Sequence, residues 1–136
     1  MSEGLPRLVI DACVLANYSV CDLLLRLAEP PALYEPKWTD EIIAETVRTL
    51  EHKLFWPADL VVHFESQLRK TFPQSLIRGH EPLIARMTND PKDRHVAAAA
   101  AASGVPTIVT FNLRHFKSED LSKWSVAAVH PQQILI

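Results

Sequence analysis

The sequence predicts an α/β fold, in which helices on both sides cover a central, mainly parallel sheet. Three observations support this prediction: short apolar runs typical of buried strands, helical patterns between those runs, and one tract rich in alanine. Of the 136 residues, 48% are hydrophobic and 22% are charged, which is ordinary for a compact domain. We therefore expect a three-layer α/β/α sandwich that spans residues 1–136 as a single domain.

Strand and helix candidates alternate from the N-terminus. Residues 8–10 form an aliphatic run that suits a buried strand. A helix is predicted from Ser19, where Asp22 completes a capping box, and it ends at a pair of prolines. A short extended segment is expected at residues 33–38.

Two helices are predicted for the middle of the chain. Thr39 can cap the first helix, and acidic residues follow it in the first turn, where they complement the helix dipole. The apolar stripe of this helix consists of Ile43, Val47, Leu50 and Leu54. Pro57 suits the first turn of the second helix, which carries its own apolar stripe and ends before Pro73.

The strongest helix signal precedes the second aliphatic strand. Asp90 can cap this helix, Pro91 suits its first position, and Gly104 fits the left-handed position beyond its end. The helix contains six consecutive alanines, whose small side chains allow close packing against a sheet. The strand candidate covers residues 105–110, and a last strand at residues 125–129 precedes a short terminal helix.

Composition and motifs exclude several classes of protein. The formal net charge is −2, from 14 basic and 16 acidic residues, which argues against a generally basic nucleic-acid binder. The only two cysteines, Cys13 and Cys21, follow no secretory signal, and no apolar run is long enough to cross a bilayer. These features favour a reduced, cytoplasmic protein without a membrane segment. With three glycines there is no glycine-rich phosphate loop, which excludes most nucleotide-binding enzymes.

Acidic and amide side chains fall where a parallel sheet gathers ligands, beyond the carboxyl ends of its strands. Asp11 directly follows the first strand, and Asn112 follows the second aliphatic strand. Asp93 begins the alanine-rich helix, and Glu45 lies in the helix after Thr39. Converging carboxylates repel one another unless a cation neutralises them, and oxygen ligands favour Mg²⁺ or Mn²⁺. The sequence is therefore compatible with a divalent-cation site.

Four segments resemble, in order, the successive motifs of PIN-domain ribonucleases. They are VIDA (residues 9–12), IIAE (42–45), DPKDRHVAAA (90–99) and IVTFN (108–112). The resemblance implies an α/β/α sandwich and metal-dependent endoribonuclease activity, with Asp11, Glu45 and Asp93 as the catalytic, metal-binding acids. At this size the chain is most similar to VapC-like toxins of toxin–antitoxin pairs, which implies an RNA substrate and a small antitoxin partner. The resemblance also implies a homodimer, for which the helices at residues 39–54 and 57–68 are the candidate surface.

Asn112 departs from the acidic residue that is commonest at this fourth position of the family. Its amide oxygen can ligate a metal weakly but brings no charge, and Asp90 can supply that charge if its side chain is not used as a helix cap. This departure motivates an alternative: a catalytically silent PIN-like module that binds another protein. His95 and His115 are expected to support the site or the fold rather than to ligate metal. The basic candidates for RNA binding flank the acids: Lys92, Arg94, Arg114 and Lys117.

Each of these site candidates also has a purely structural interpretation. Asp11 can cap a turn, Asp93 can complement the dipole of its helix, and Asn112 can be an ordinary turn residue. Glu45 lies nearly opposite the apolar stripe of its helix, so exposure to solvent is its default environment. A residue that faces a ligand-binding groove would lie on the same polar face, so the helix pattern does not decide between the two. DNA cleavage by a relative of the flap nucleases also stays open, although such relatives are usually longer.

Overall fold

The computed structural model describes residues 4–135, and within them four strands form one sheet. The strands are β1 (Arg7–Ile10), β2 (Glu35–Lys37), β3 (Thr107–Val109) and β4 (Ala127–Val129). Their spatial order is β2-β1-β3-β4, and every neighbouring pair is parallel. The predicted α/β class with a central parallel sheet is therefore confirmed.

Helices connect the strands and flank the sheet. They are α1 (Ala12–Leu15), α2 (Tyr18–Ala28), α3 (Asp40–His52), α4 (Ala58–Thr71), α5 (Glu81–Ile84), α6 (Arg94–Ser103), α7 (Ser118–Leu121) and α8 (Pro131–Leu135). Three short 3₁₀ turns accompany them, at Pro91–Asp93, Leu113–His115 and Ser122–Trp124. Among the helices of residues 4–135, none combines the length and apolar character that a membrane span requires.

The two central strands, β1 and β3, define where a ligand can bind. β1 pairs with β2 on one side and with β3 on the other, and Val9 of β1 lies opposite Ile108 of β3. Both side chains are fully buried. Strand order changes direction between β1 and β3, and an open parallel sheet leaves a crevice at the carboxyl ends of such strands. Asp11 follows β1 and Asn112 follows β3, so the two residues emerge beside this crevice.

The alanine-rich helix α6 packs against the centre of the sheet. Residues 96–100 are essentially inaccessible to solvent, and the helix contacts both β1 and β3. Alanine favours the helix and fills little space, which allows this close approach. Gly104 follows the helix with a φ of 70°, the left-handed conformation that glycine adopts without strain. The predicted end of this helix is therefore confirmed.

The start of the chain after β1 differs from the prediction. The sequence did not predict α1, which Asp11 caps by accepting a hydrogen bond from the Ala12 N–H at 2.8 Å. The predicted capping box of α2 is wrong. The cap is Asn17, whose side-chain oxygen accepts from the Val20 N–H, while Ser19 lies inside the helix. Both corrections arise because Asp and Asn are strong helix caps, and they follow β1 at short intervals.

On α3 the predicted cap is confirmed and the predicted stripe is partly wrong. The Thr39 hydroxyl oxygen accepts from the Ile42 N–H at 3.0 Å. The helix ends at His52, so Leu54 falls beyond it and is 50% exposed. Ile43 and Leu50 of the stripe are buried as predicted, and Ile42 and Thr46 are buried as well; the Thr46 hydroxyl donates to the Ile42 carbonyl. The buried face of α3 is therefore wider than the predicted stripe and includes Ile42 and Thr46.

Ala99→Leu tests whether the close packing of α6 stabilises the fold. Ala99 is fully buried, so the larger side chain must displace its neighbours, and we expect the free energy of unfolding to fall by about 1–3 kcal/mol. Ala102→Leu, at an exposed position of the same helix, should change it by no more than about 0.5 kcal/mol. Urea unfolding of both variants measures the difference, and equal stabilities would contradict the packing assigned to α6.

Candidate functional site

An open cleft lies at the carboxyl ends of β1 and β3. Its volume is about 750 Å³, and Asp11, Glu45, Asp93 and Asn112 all line it. These side chains come from four different places: the end of β1, the middle of α3, the 3₁₀ turn before α6 and the segment after β3. The structure thus brings the four residues to one cleft, as expected if they act together.

Asp11 is fixed in the cleft by hydrogen bonds to both carboxylate oxygens, and only 3% of the residue is exposed. Oδ1 accepts from the Ala12 N–H at 2.8 Å, and Oδ2 accepts from the Thr110 hydroxyl at 2.8 Å. The thiol of Cys13 lies 3.6 Å from Oδ2. The Thr110 oxygen also accepts from the Asn112 N–H at 3.0 Å, which leaves its own proton for Asp11. Sequence reasoning missed Thr110, although its place at the end of β3 was the signal.

The environment of Asp11 disfavours the charged carboxylate. Burial raises the pKa of Asp11 above its ordinary value, and the charge of Asp93 acts in the same direction. The hydrogen bonds from Thr110, Ala12 and Cys13 offset only part of this effect. Burial, together with the charge of Asp11, also raises the pKa of the Cys13 thiol to about 11, so the thiol stays protonated at neutral pH. A cation bound at these acids would reverse the unfavourable electrostatics of Asp11.

Glu45 is paired with a buried histidine on α6. Its Oε2 lies 3.1 Å from Nε2 of His95, a residue that is 5% exposed. Burial alone lowers the pKa of His95, but the hydrogen bond and charge of Glu45 and the charges of Glu41 and Asp11 raise it overall. Glu45 is not the fully exposed residue of its structural interpretation: its side chain is 28% exposed and lines the cleft. The reason is that the buried face of α3 extends to Thr46, which puts Glu45 at its edge.

Asp93 is paired in a similar way with His115. Its Oδ2 lies 2.8 Å from Nδ1 of His115. The amide of Asn89 donates to the backbone carbonyls of both residues, at 3.1 and 3.2 Å, and so ties the turn before α6 to the segment after β3. The two histidines near the acids therefore each contact one candidate ligand and can orient its carboxylate.

Asp90 caps the 3₁₀ turn Pro91–Asp93, whereas the sequence predicted it as the cap of the alanine-rich helix, which begins only at Arg94. Its Oδ1 accepts from the Lys92 N–H at 3.0 Å, and its Oδ2 lies 3.7 Å from Nε2 of His115. Asp90 also belongs to a group of side chains that could hold a metal ion: one ligand atom each of Asp90, Asp93 and His115 lies within 4.8 Å of the others. Asp90 does not belong to the lining of the cleft, and its cap bond occupies one of its two oxygens.

Basic residues line the cleft on the side of α3. They are Arg48, His52 and Lys53, and Lys92 lines the cleft from the turn before α6. Sequence reasoning identified Lys92 and missed the other three. Arg48 and His52 follow Glu45 by three and seven positions, which is the spacing of one helix face, so the signal was present.

The remaining basic candidates lie outside the lining of this cleft. The Nε of Arg94 donates to the Asn89 carbonyl at 2.8 Å, which gives this side chain a contact within the fold. Arg114 and Lys117 are exposed on the segment after β3. A role of these three residues in RNA binding stays a prediction.

Comparison with known proteins gives one partial similarity. A protein of Mycobacterium tuberculosis named "Putative ribonuclease VapC50" is 45% identical to this chain over 58 residues, which are 43% of this chain. The match spans 34% of that protein, about a third of its length. No family model matches the chain. The similarity supports the resemblance to VapC-like ribonucleases.

Asp11→Asn tests the electrostatic cost of the buried carboxylate. An acid whose pKa is raised by folding favours the folded state below its unfolded pKa, near 3.8, and loses this contribution as pH rises through the folded pKa. In EDTA at pH 7 we therefore expect the variant to have a higher free energy of unfolding than the wild type. The difference in the free energy of unfolding between variant and wild type should decrease as the pH falls toward 3.8.

Urea unfolding across this pH range measures the difference in stability between Asp11→Asn and the wild type. Asp59→Asn, at an exposed position in the first turn of α4, is the matched control and should show no such gain. An Asp11→Asn protein that is less stable than the wild type at every pH would show that the hydrogen bonds of Asp11 outweigh its burial.

Proposed function

We propose that this protein is a metal-dependent endoribonuclease that cleaves RNA phosphodiester bonds. In this proposal the catalytic unit is one domain over residues 1–136, and the protein acts in the cytoplasm as the toxin of a type II toxin–antitoxin pair. The observation that carries the proposal is that Asp11, Glu45 and Asp93 line one cleft at the carboxyl ends of the central strands. The similarity to a protein named as a VapC ribonuclease supports both the reaction and the toxin role.

The donor set of the cleft fits a hard divalent cation. The carboxylates of Asp11, Glu45 and Asp93, with the amide oxygen of Asn112, are the oxygen ligands that Mg²⁺ and Mn²⁺ prefer. The raised pKa of Asp11 supports this assignment, because a buried carboxylate gains most from a bound cation. A cation held there would supply the chemistry of phosphodiester cleavage, namely activation of a water and stabilisation of the leaving oxygen.

The side chains around the acids give the cleft its shape and its attraction for phosphate. Thr110 holds Asp11, while His95 and His115 hold Glu45 and Asp93. Lys92, Arg48 and Lys53 attract the RNA backbone to a protein whose overall charge is slightly negative. In this way the acids are available for the cation and the surrounding basic residues for the substrate.

Two protein partners belong to the proposal. A small antitoxin would neutralise the enzyme by placing a segment in the acidic cleft. A second copy of the chain would pack against α3 and α4, where Leu60 is 50% and Val62 is 68% exposed. Burial of such side chains between copies would be favourable, because exposed apolar area carries a free-energy cost in water.

Glu45→Gln tests the enzymatic proposal. Loss of a residue that merely orients a metal ligand costs about 10–100-fold, so loss of the ligand itself should reduce RNA cleavage by at least about 100-fold. Cleavage of a mixed-sequence RNA in Mn²⁺, with an EDTA arm, measures this. Glu35→Gln, on the exposed edge strand β2, should cleave like the wild type.

An RNA left intact by the wild type in both Mn²⁺ and Mg²⁺ would contradict the proposal. Equal activity of Glu45→Gln and the wild type would contradict the assignment of Glu45.

A catalytically silent PIN-like module that binds a protein is the second candidate. Asn112 favours it because an amide adds no charge to the site, and Glu45 and Asp93 each already have a histidine partner within the fold.

Calorimetric titration with Mn²⁺ separates the two functions. The enzyme should bind Mn²⁺, and Asp93→Asn should weaken that binding by at least about 10-fold, since a charged ligand is lost. Asp120→Asn, outside the lining of the cleft, is the control. Wild-type protein that shows no Mn²⁺ binding would favour the silent module.

A further inference from the structure

The cleft has a wall of basic side chains that the fold itself does not use. Arg48 and Lys53 lie on this wall, and Lys92 lies across the cleft. All three residues are exposed. Within residues 4–135 no ion pair or hydrogen bond engages their charged groups, although Glu51 and the cleft acids belong to the same region. Cations left unpaired beside acids are available to an anionic ligand from outside the protein.

An exposed aromatic ring stands next to this wall. Phe55 follows Leu54, which lines the cleft, and Phe55 is 80% exposed. Its φ is 55°, a left-handed conformation that a bulky residue rarely adopts. Such strained conformations persist where the surrounding structure imposes them, and they occur often at ligand-binding sites.

The turn around Phe55 is firmly anchored. The N–H of Leu54 donates to the Thr49 carbonyl at 3.0 Å, and the N–H of Trp56 donates to the Leu50 carbonyl at 2.9 Å. The ring of Trp56 lies 6.0 Å from that of Phe64, centroid to centroid, and packs with a small cluster that includes Leu50. Trp56 thus faces the protein while its neighbour Phe55 stays in solvent.

A cationic wall and an adjacent exposed ring match the chemistry of an unpaired nucleotide. Basic side chains contact backbone phosphates, and an aromatic face stacks on a base that is not paired. In a duplex the bases are already stacked and paired, so a ring of this kind cannot reach them.

We propose that the wall formed by the end of α3 and the turn after it binds single-stranded RNA, with Arg48 and Lys53 on the phosphates and Phe55 stacked on an unpaired base. This inference rests on the proposed ribonuclease function for the kind of substrate. It adds the side chains of this protein that contact the substrate: Arg48 and Lys53 on the phosphates and Phe55 on a base.

Binding without cleavage tests the inference. The probe is a fluorescein-labelled, unstructured 12-nucleotide RNA in EDTA, followed by fluorescence anisotropy over a series of KCl concentrations. Phe55→Ala should weaken binding by about 10-fold with an unchanged salt dependence, because a stacked base carries no charge. Phe55→Tyr keeps the ring and should bind like the wild type.

Substitution of the basic residues should, in contrast, change the salt dependence of RNA binding. Arg48→Ala and Lys53→Ala together should reduce the slope of log K against log[KCl] by about 1.4, since each phosphate contact on a single strand contributes about 0.7. Lys70→Ala, an exposed lysine of α4 outside the cleft, is the matched control and should leave the slope unchanged. A duplex of the same RNA should be insensitive to Phe55→Ala.

Three results would overturn the inference. The wild-type protein does not bind the RNA, the Phe55→Ala protein binds the single-stranded RNA as tightly as the wild type, or the Phe55→Ala protein has a lower solution mass than the wild type in sedimentation. The last would assign Phe55 to an interface between copies. Because the assay contains no divalent cation, it is independent of cleavage. An RNA-cleaving protein with unchanged binding in these variants contradicts this inference alone, and an inactive protein with the expected binding contradicts the proposed function alone.

Discussion

The hydroxyl of Thr110 donates a hydrogen bond to the carboxylate of Asp11, and this contact joins the ends of the two central strands. The two residues are 99 positions apart in the chain and 2.8 Å apart in the structure. The backbone strengthens the contact, because the Asp11 N–H bonds to the Val109 carbonyl at 3.0 Å. Thr110 also holds the Asn112 N–H, so one buried hydroxyl fixes both strand ends of the cleft. The arrangement depends on β1 and β3 being neighbours, and the alanine-rich helix α6 packs against both strands.

The three acids of the cleft differ in how their charge is balanced. Asp11 receives hydrogen bonds from uncharged donors and is buried, so its charged form is disfavoured. Glu45 and Asp93 each contact a histidine, and the pKa of His95 is raised by its acidic neighbours. The folded chain therefore keeps negative charge concentrated at one place with only partial compensation. Such an arrangement is costly for stability and is typical of sites where a ligand completes the balance.

Sequence reasoning predicted the fold more completely than the site. The strands, the Thr39 cap and the Gly104 helix end follow from local chemistry, since each depends on residues within a few positions. Asp11 and Asn112 were predicted correctly as cleft residues because each follows an apolar strand, and the ends of parallel strands can be recognised in the sequence. Glu45 was identified through the resemblance and not from its helix pattern, because its environment depends on a histidine 50 positions away. The cations of α3 were missed for the same reason: which helix face meets the cleft is set by tertiary packing, which local periodicity does not determine.

The central claim is that these acids form one divalent-cation site, and anomalous diffraction from crystals soaked in Mn²⁺ tests it most directly. The account predicts an anomalous peak in the cleft within ligand distance of Asp11 and Asp93, and its absence from crystals of Asp11→Asn soaked in the same way. A peak confined to Glu41 and His95, or no peak in wild-type crystals, would contradict the claim.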